Sequence, residues 1–122
     1  MRAGGQVDAC HYKYDILVKH NNTGKEYTIE IKEDFMVKDT GNVTVEYKSR
    51  GKFSGLLTTQ ADFYVYKLHY KEPKYFIMRV STLKNAMKDG KYITKVNGGD
   101  KGSNTLMWLL KDYMMIDISK EF

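Results

Sequence analysis

Tyr27-Thr28-Ile29-Glu30-Ile31-Lys32-Glu33-Asp34 alternates apolar and polar side chains with a period of two, the pattern of a β-strand. Successive side chains of a strand point to opposite faces. Tyr27, Ile29 and Ile31 therefore share one face, and Thr28, Glu30 and Lys32 share the other. A carboxylate and an ammonium group two residues apart project the same way. The apolar face is expected to pack the core.

Upstream, residues 12–19 read as a second strand, with Tyr14, Ile16 and Val18 on one face and Asp15 and Leu17 on the other. An Asp inside a strand goes against β-propensity, so Asp15 marks a wet sheet edge or a site. Asn21-Asn22-Thr23-Gly24 is a turn that joins the two strands as an antiparallel hairpin. Asp15 and Glu30 then lie on neighbouring strands. Whether they share a face depends on register, which the pattern leaves open.

Downstream, the alternation pauses over residues 33–41. It resumes over 42–48, where Val43, Val45 and Tyr47 oppose Thr44, Glu46 and Lys48. Ser49-Arg50-Gly51-Lys52 is a basic turn. Residues 54–60 suit a short helical turn capped by Ser54. Asp62 opens the apolar run 63–68, expected as a central strand, and Pro73 turns the chain into a strand over 75–80. Residues 81–90 read as a capped helix with an apolar stripe of Leu83, Ala86 and Met87, ended by Gly90. A further strand over 92–96, a flexible loop over 97–104 and apolar segments at 105–110 and 114–118 complete the chain. The glycines of 97–104 lack the spacing of a P-loop or a dinucleotide fingerprint.

The chain of 122 residues is expected to form one domain over 1–122 with its own core. No apolar run approaches the ~20 residues of a membrane span, and Met1-Arg2-Ala3-Gly4-Gly5 lacks the apolar core of a signal peptide. The single cysteine, Cys10, excludes an intramolecular disulfide framework and a multi-cysteine zinc site. The expected setting is reducing and cytoplasmic (host cytoplasm for a phage-encoded chain). A net charge of +5 is compatible with a polyanionic partner. His11, His20 and His69 show no metal-ligand spacing, and most of the ten tyrosines fall at strand positions that packing explains.

Asp15, Glu30 and Lys32 suit metal-assisted hydrolysis. Two carboxylates facing one point repel by about 4 kcal/mol at ~4 Å with an effective dielectric near ~20. A Mg²⁺ or Mn²⁺ ion turns that repulsion into attraction, taking carboxylate, water and phosphate oxygens. The Ile31 carbonyl is a further candidate ligand. Lys32 could orient the attacking water or stabilise charge in the transition state. Ser54, Thr58 and Thr59 could donate to phosphate beside the basic Lys48, Arg50 and Lys52. Glu46 either approaches the site or is an exposed carboxylate, and Asp62 is expected to cap or end an element. The competing interpretation makes Glu30 and Lys32 a charge pattern on a half-solvated sheet, in a structural or interaction protein.

Several motifs in order resemble the PD-(D/E)XK nuclease superfamily, and within it small nuclease-like proteins of phage and bacteria. They are Tyr14-Asp15-Ile16, Glu30-Ile31-Lys32, Thr40-Gly41-Asn42-Val43-Thr44-Val45-Glu46-Tyr47, Gly51-Lys52-Phe53-Ser54-Gly55 and Thr59-Gln60-Ala61-Asp62. The Gly98-Gly99-Asp100 loop and the apolar strand after it are also similar. The resemblance implies a restriction-endonuclease-like α/β fold, a mixed central sheet flanked by helices. It implies Asp15 and Glu30 as metal ligands and Lys32 as the catalytic lysine of a DNA endonuclease. Relatives of that kind include restriction endonucleases, Holliday-junction resolvases and mismatch-directed nickases, and a junction resolvase would be a homodimer. Many members also place an acidic residue on a helix ahead of the Asp strand. Here Asp8 is the sole carboxylate before Asp15, which keeps a non-catalytic nucleic-acid-binding module on the same fold as the alternative.

Overall fold

The computed structural model describes residues 15–98, 102 and 104–121. In chain order these form β1 (Ile16–Lys19), β2 (Glu26–Asp34), α1 (Val37–Thr40), β3 (Asn42–Ser49), β4 (Lys52–Phe53), a 3₁₀ turn (Gly55–Leu57), β5 (Phe63–Leu68), β6 (Lys74–Arg79), α2 (Val80–Lys88), β7 (Thr94–Gly98), β8 (Thr105–Lys111) and α3 (Asp112–Ser119). The first strand's expected start at 12–14, with Tyr14, lies outside the described residues. So do Asp8, Cys10, His11 and positions 99–101 and 103 of the glycine-rich loop. No helix among the described residues is long and apolar enough to cross a membrane.

The α/β class holds, but the strands divide into two four-stranded sheets rather than one central sheet. The first has the order β1-β2-β5-β6 and the second β4-β3-β8-β7. The first is mixed, since β2 runs parallel to β5 while β1–β2 and β5–β6 are antiparallel. The second is antiparallel throughout. The division arises because β3 does not add to β2. It pairs instead with the distant β8, Val43 opposite Leu110 and Val45 opposite Trp108.

One buried cluster joins the two sheets. Val43, Val45 and Leu110 come from the second, Tyr64, Tyr66, Leu68 and Met78 from the first. The α2 stripe of Leu83, Ala86 and Met87 is buried as its spacing predicts. The segment after β8 is a helix, α3, which buries Met115 and Ile118.

The face of β2 that meets the core is the reverse of the expected one. Glu30, Lys32 and Asp34 are register partners of Tyr64, Tyr66 and Leu68, which are 1%, 3% and 0% exposed. Ile31, on the other face, is 43% exposed. The cause lies on β5. A buried aromatic removes roughly 150–250 Å² from water, worth roughly 4–6 kcal/mol at ~25 cal/mol per Å². The β5 face carrying two tyrosines and a leucine goes inward, and parallel pairing carries the polar face of β2 with it.

Asp34 makes this tolerable at the end of β2. Its Oδ1 accepts from the backbone N–H groups of Met36 (3.0 Å) and Val37 (3.1 Å), and its Oδ2 from that of Thr44 (3.2 Å). One buried carboxylate thus ends β2, starts α1 and ties β3 alongside.

The basic turn is a two-residue hairpin between β3 and β4. Arg50 (φ 53°) and Gly51 (φ 77°) both take the positive φ that a type I′ turn requires. Beyond it, Ser54 precedes the 3₁₀ turn but makes no side-chain cap; its Oγ is buried without a hydrogen-bond partner among the described residues. Gly55 (φ +51°) lies so close to β3 that a Cβ would stand 2.3 Å from the Glu46 carbonyl oxygen.

Gly55→Ala therefore faces both backbone strain and a backbone clash, whereas Gly51→Ala meets nothing within 4 Å and faces strain alone. Urea unfolding should show Gly51→Ala losing about 1 kcal/mol and Gly55→Ala clearly more, beyond ~2 kcal/mol. Equal losses would contradict the close approach.

Candidate functional site

β2 presents Glu30 and Lys32 on one face, with Glu30 Oε2 and Lys32 Nζ 2.6 Å apart. The other carboxylate oxygen, Oε1, accepts from the Thr59 hydroxyl at 2.7 Å. Thr59 is buried in the crossover before β5, and its Oγ1 also accepts the Ala61 N–H at 3.1 Å. The Glu30 side chain is thus aimed by a residue that is itself fixed.

Asp15 stands at the entry to β1. Its N–H donates to the Ile29 carbonyl (3.0 Å), and its Oδ2 accepts from the Ile31 N–H (2.7 Å). It therefore grips the two neighbours of Glu30 in β2. Asp15, Glu30, Ile31 and Lys32, four residues singled out from the sequence, come together here. The Glu30 oxygens each have one partner, and a carboxylate oxygen can accept twice. Carboxylates are hard-cation donors by chemistry, and Mg²⁺ commonly takes only one or two of them with water and phosphate oxygens. The residues fit such an ion in donor type, although among the described residues no three His, Cys, Asp or Glu side chains converge closely enough to enclose one.

A cleft opens beside this pair, lined by Lys32, Asp34, Thr44, Glu46, Tyr64 and Tyr66 with Gly55 and Met107. The Lys32 ammonium lies 5.6 Å from the centre of the Tyr64 ring. The Tyr64 hydroxyl is buried and has no hydrogen-bond partner among the described residues. Burial raises its pKa well above the usual 10, and the negative charges of Glu30 and Glu46 raise it further; the nearby Thr59 hydroxyl opposes this only in part, being turned to Glu30. Tyr66 is raised in the same direction by burial first, then by Tyr64, Asp34, Glu30 and Glu46. Tyr70 is pushed up to about 12, by burial and then by its short hydrogen bond to Asp112.

The proposed phosphate contacts divide. Arg50 and Lys52 are exposed on the β3–β4 hairpin, and Lys48 is half-buried with its ammonium 5.9 Å from the Phe53 ring. Ser54 and Thr59 do not offer surface hydroxyls. The Ser54 Oγ is buried, and the Thr59 hydroxyl positions Glu30 instead. Both corrections have one cause: the 3₁₀ turn packs against β3, drawing its flanks inward. Asp62, expected to cap or end an element, stands just before β5 and ties it to β2, its carboxylate accepting the Thr28 N–H at 2.9 Å. His69 contacts Glu33 at 2.9 Å and stacks on Phe35.

Sequence reasoning assigned Tyr64 and Tyr66 to packing and left Glu46 undecided. Their alternation placed Tyr64 and Tyr66 on one face, but only the pairing of β5 with β2 shows that this face carries Glu30 and Lys32. Compared with known protein families, curated proteins and solved structures, the chain matches none.

Thr59→Val removes the donor to Glu30 and leaves the Ala61 N–H without its acceptor. Urea unfolding should register a loss of about 1–3 kcal/mol, with Thr59→Ser recovering part of it. The raised tyrosines set a second expectation. Their protonated forms favour the folded state, so their contribution is complete below an unfolded pKa of about 10 and is lost as pH rises through the higher folded values. The urea midpoint should fall above about pH 10, while the tyrosinate absorbance of the native protein lags behind that of the unfolded chain. Coincident titration curves would contradict the burial of these phenols.

Proposed function

We propose that the chain is a Mg²⁺- or Mn²⁺-dependent DNA endonuclease of PD-(D/E)XK type with a restriction-endonuclease-like fold. The observation that supports this best is the meeting of Asp15 with the Glu-x-Lys segment. Asp15 bonds the amide of Ile31 at 2.7 Å, between a glutamate and a lysine in contact at 2.6 Å. Glu30 and Lys32 sit on the strand that pairs in parallel with β5, inside a mixed sheet. Asp15 and Glu30, with the Ile31 carbonyl, would hold the ion. The ion when bound lowers the pKa of water and offsets phosphate charge. Thr59 keeps Glu30 aimed at that point. Lys32, on the same face of β2 as Glu30, would serve to orient the reacting water or stabilise phosphate charge. Arg50 and Lys52 on the exposed hairpin, with Lys48 behind them, would attract the DNA backbone. Cytoplasmic action and assembly as a homodimer belong to the same proposal.

A second reading keeps the fold and removes the catalysis. The Glu30–Lys32 ion pair favours it, because a lysine in contact already neutralises the carboxylate that the metal would need. That module would bind DNA in a strongly salt-dependent way, indifferent to chelators.

Incubation with branched, duplex and single-stranded DNA in Mg²⁺ or Mn²⁺ separates the two. The nuclease reading expects cleavage that stops with EDTA and falls roughly 100-fold or more in Lys32→Ala and Glu30→Ala. Cleavage that survives both substitutions, or its absence on every substrate, would sink that reading.

A further inference from the structure

Lys32, in contact with Glu30, contributes one part of the cleft wall. Glu46, which lines the same cleft, is held in place by two independent features of the backbone. The pairing of β3 with β8 shifts register between Glu46 and Lys48, a bulge of the kind that re-aims side chains. From the other direction, Gly55 packs so tightly on the Glu46 carbonyl that only a glycine fits. The fixed residue is a half-buried carboxylate that lines the cleft with Lys32 and Tyr64. Among the described residues it has no salt-bridge partner, since Lys32 is turned to Glu30.

Tyr64 adds a separate observation. It is 1% exposed, lines the same cleft, and its hydroxyl has no hydrogen-bond partner among the described residues. A buried hydroxyl left unpaired is costly, so such groups are usually completed by something that occupies the space beside them. Here that occupant must accept a hydrogen bond near a lysine and between two carboxylates. An oxygen of a hydrated cation, or of a phosphate bound to it, meets that requirement.

We propose that Glu46 and Tyr64 complete the ion-binding site: Glu46 accepts hydrogen bonds from the water shell of the divalent cation, and the Tyr64 hydroxyl donates to an oxygen bound beside it. This rests on the metal site of the proposed nuclease and extends it across the cleft. Because three carboxylates do not converge closely enough to enclose an ion directly, Glu46 acts through water, as an orienting outer partner. Both residues are positioning residues, since neither is assigned a bond to the reacting atoms.

Thermal melting with Mn²⁺ alone tests this without DNA or turnover, because an ion at concentration c that binds only the folded state stabilises it by RT ln(1 + c/Kd) and so raises the melting temperature. The wild type, Glu30→Gln, Glu46→Gln, Tyr64→Phe and, as a remote carboxylate control, Asp117→Asn are titrated in parallel. The wild type and Asp117→Asn should be stabilised at the same Mn²⁺ concentrations. Glu46→Gln should need about tenfold more Mn²⁺. Tyr64→Phe should melt as high as the wild type or higher without metal, since it loses an unpaired hydroxyl, and should also need more Mn²⁺. Wild-type Mn²⁺ response in both Glu46→Gln and Tyr64→Phe, with Glu30→Gln impaired, overturns this inference and leaves the metal site standing. A lower metal-free melting temperature of Tyr64→Phe with unchanged Mn²⁺ response assigns its hydroxyl to a structural water and overturns its role here. No Mn²⁺ effect on the wild type overturns the metal site and this extension together.

Discussion

The parallel register of β2 on β5 governs the rest of the molecule. Pairing Glu30 with Tyr64, Lys32 with Tyr66 and Asp34 with Leu68 sends three charged side chains toward the core. A slip by one residue would turn Ile29 and Ile31 inward and leave the charges in water, or expose the tyrosines. The observed register is pinned at both ends. At the start of β5, the Asp62 N–H donates to the Thr28 carbonyl and the Asp62 carboxylate accepts from the Thr28 N–H. Past its end, the His69 N–H donates to the Asp34 carbonyl, while the Asp34 side chain collects three amides from α1 and β3.

Charges brought inward need partners, and those partners define the site. Burying an ion without compensation would cost several kcal/mol. Asp34 is met by backbone amides and becomes a structural joint. Glu30 is met by Lys32 and Thr59, both side chains, so its neighbourhood can be rearranged without breaking a strand. That difference separates a carboxylate that holds the fold from one suited to chemistry. The same tight packing appears across the cleft, where Gly55 fixes the backbone at Glu46.

The local elements were legible because each carries its own periodicity. β2, β3, the β5–β6 hairpin and the stripe of α2 follow from alternation or from helical spacing, and the Asn-Asn-Thr-Gly turn explains how Asp15 comes to Glu30. What escaped was non-local. Nothing around Val43 names Leu110 as its partner, so the division into two sheets was hidden. The inward face of β2 depended on β5, whose tyrosines outweigh the isoleucines of β2. Residues 114–118 are too short an apolar run to tell helix from strand. Thr59 looked like a phosphate donor because its burial comes from the 3₁₀ turn packing on β3, while the grouping of Asp15, Glu30 and Lys32 rested on the hairpin together with the resemblance of the motifs around it.

The central claim is that the inward polar face of β2 is an ion-binding face. Anomalous diffraction from crystals soaked in Mn²⁺ tests it most directly. The account predicts a peak at coordination distance, about 2–2.3 Å, from carboxylate oxygens of Asp15 and Glu30, with the Lys32 ammonium withdrawn from Glu30. A peak bound elsewhere, or an intact Glu30–Lys32 contact with no ion beside it at saturating Mn²⁺, would contradict it.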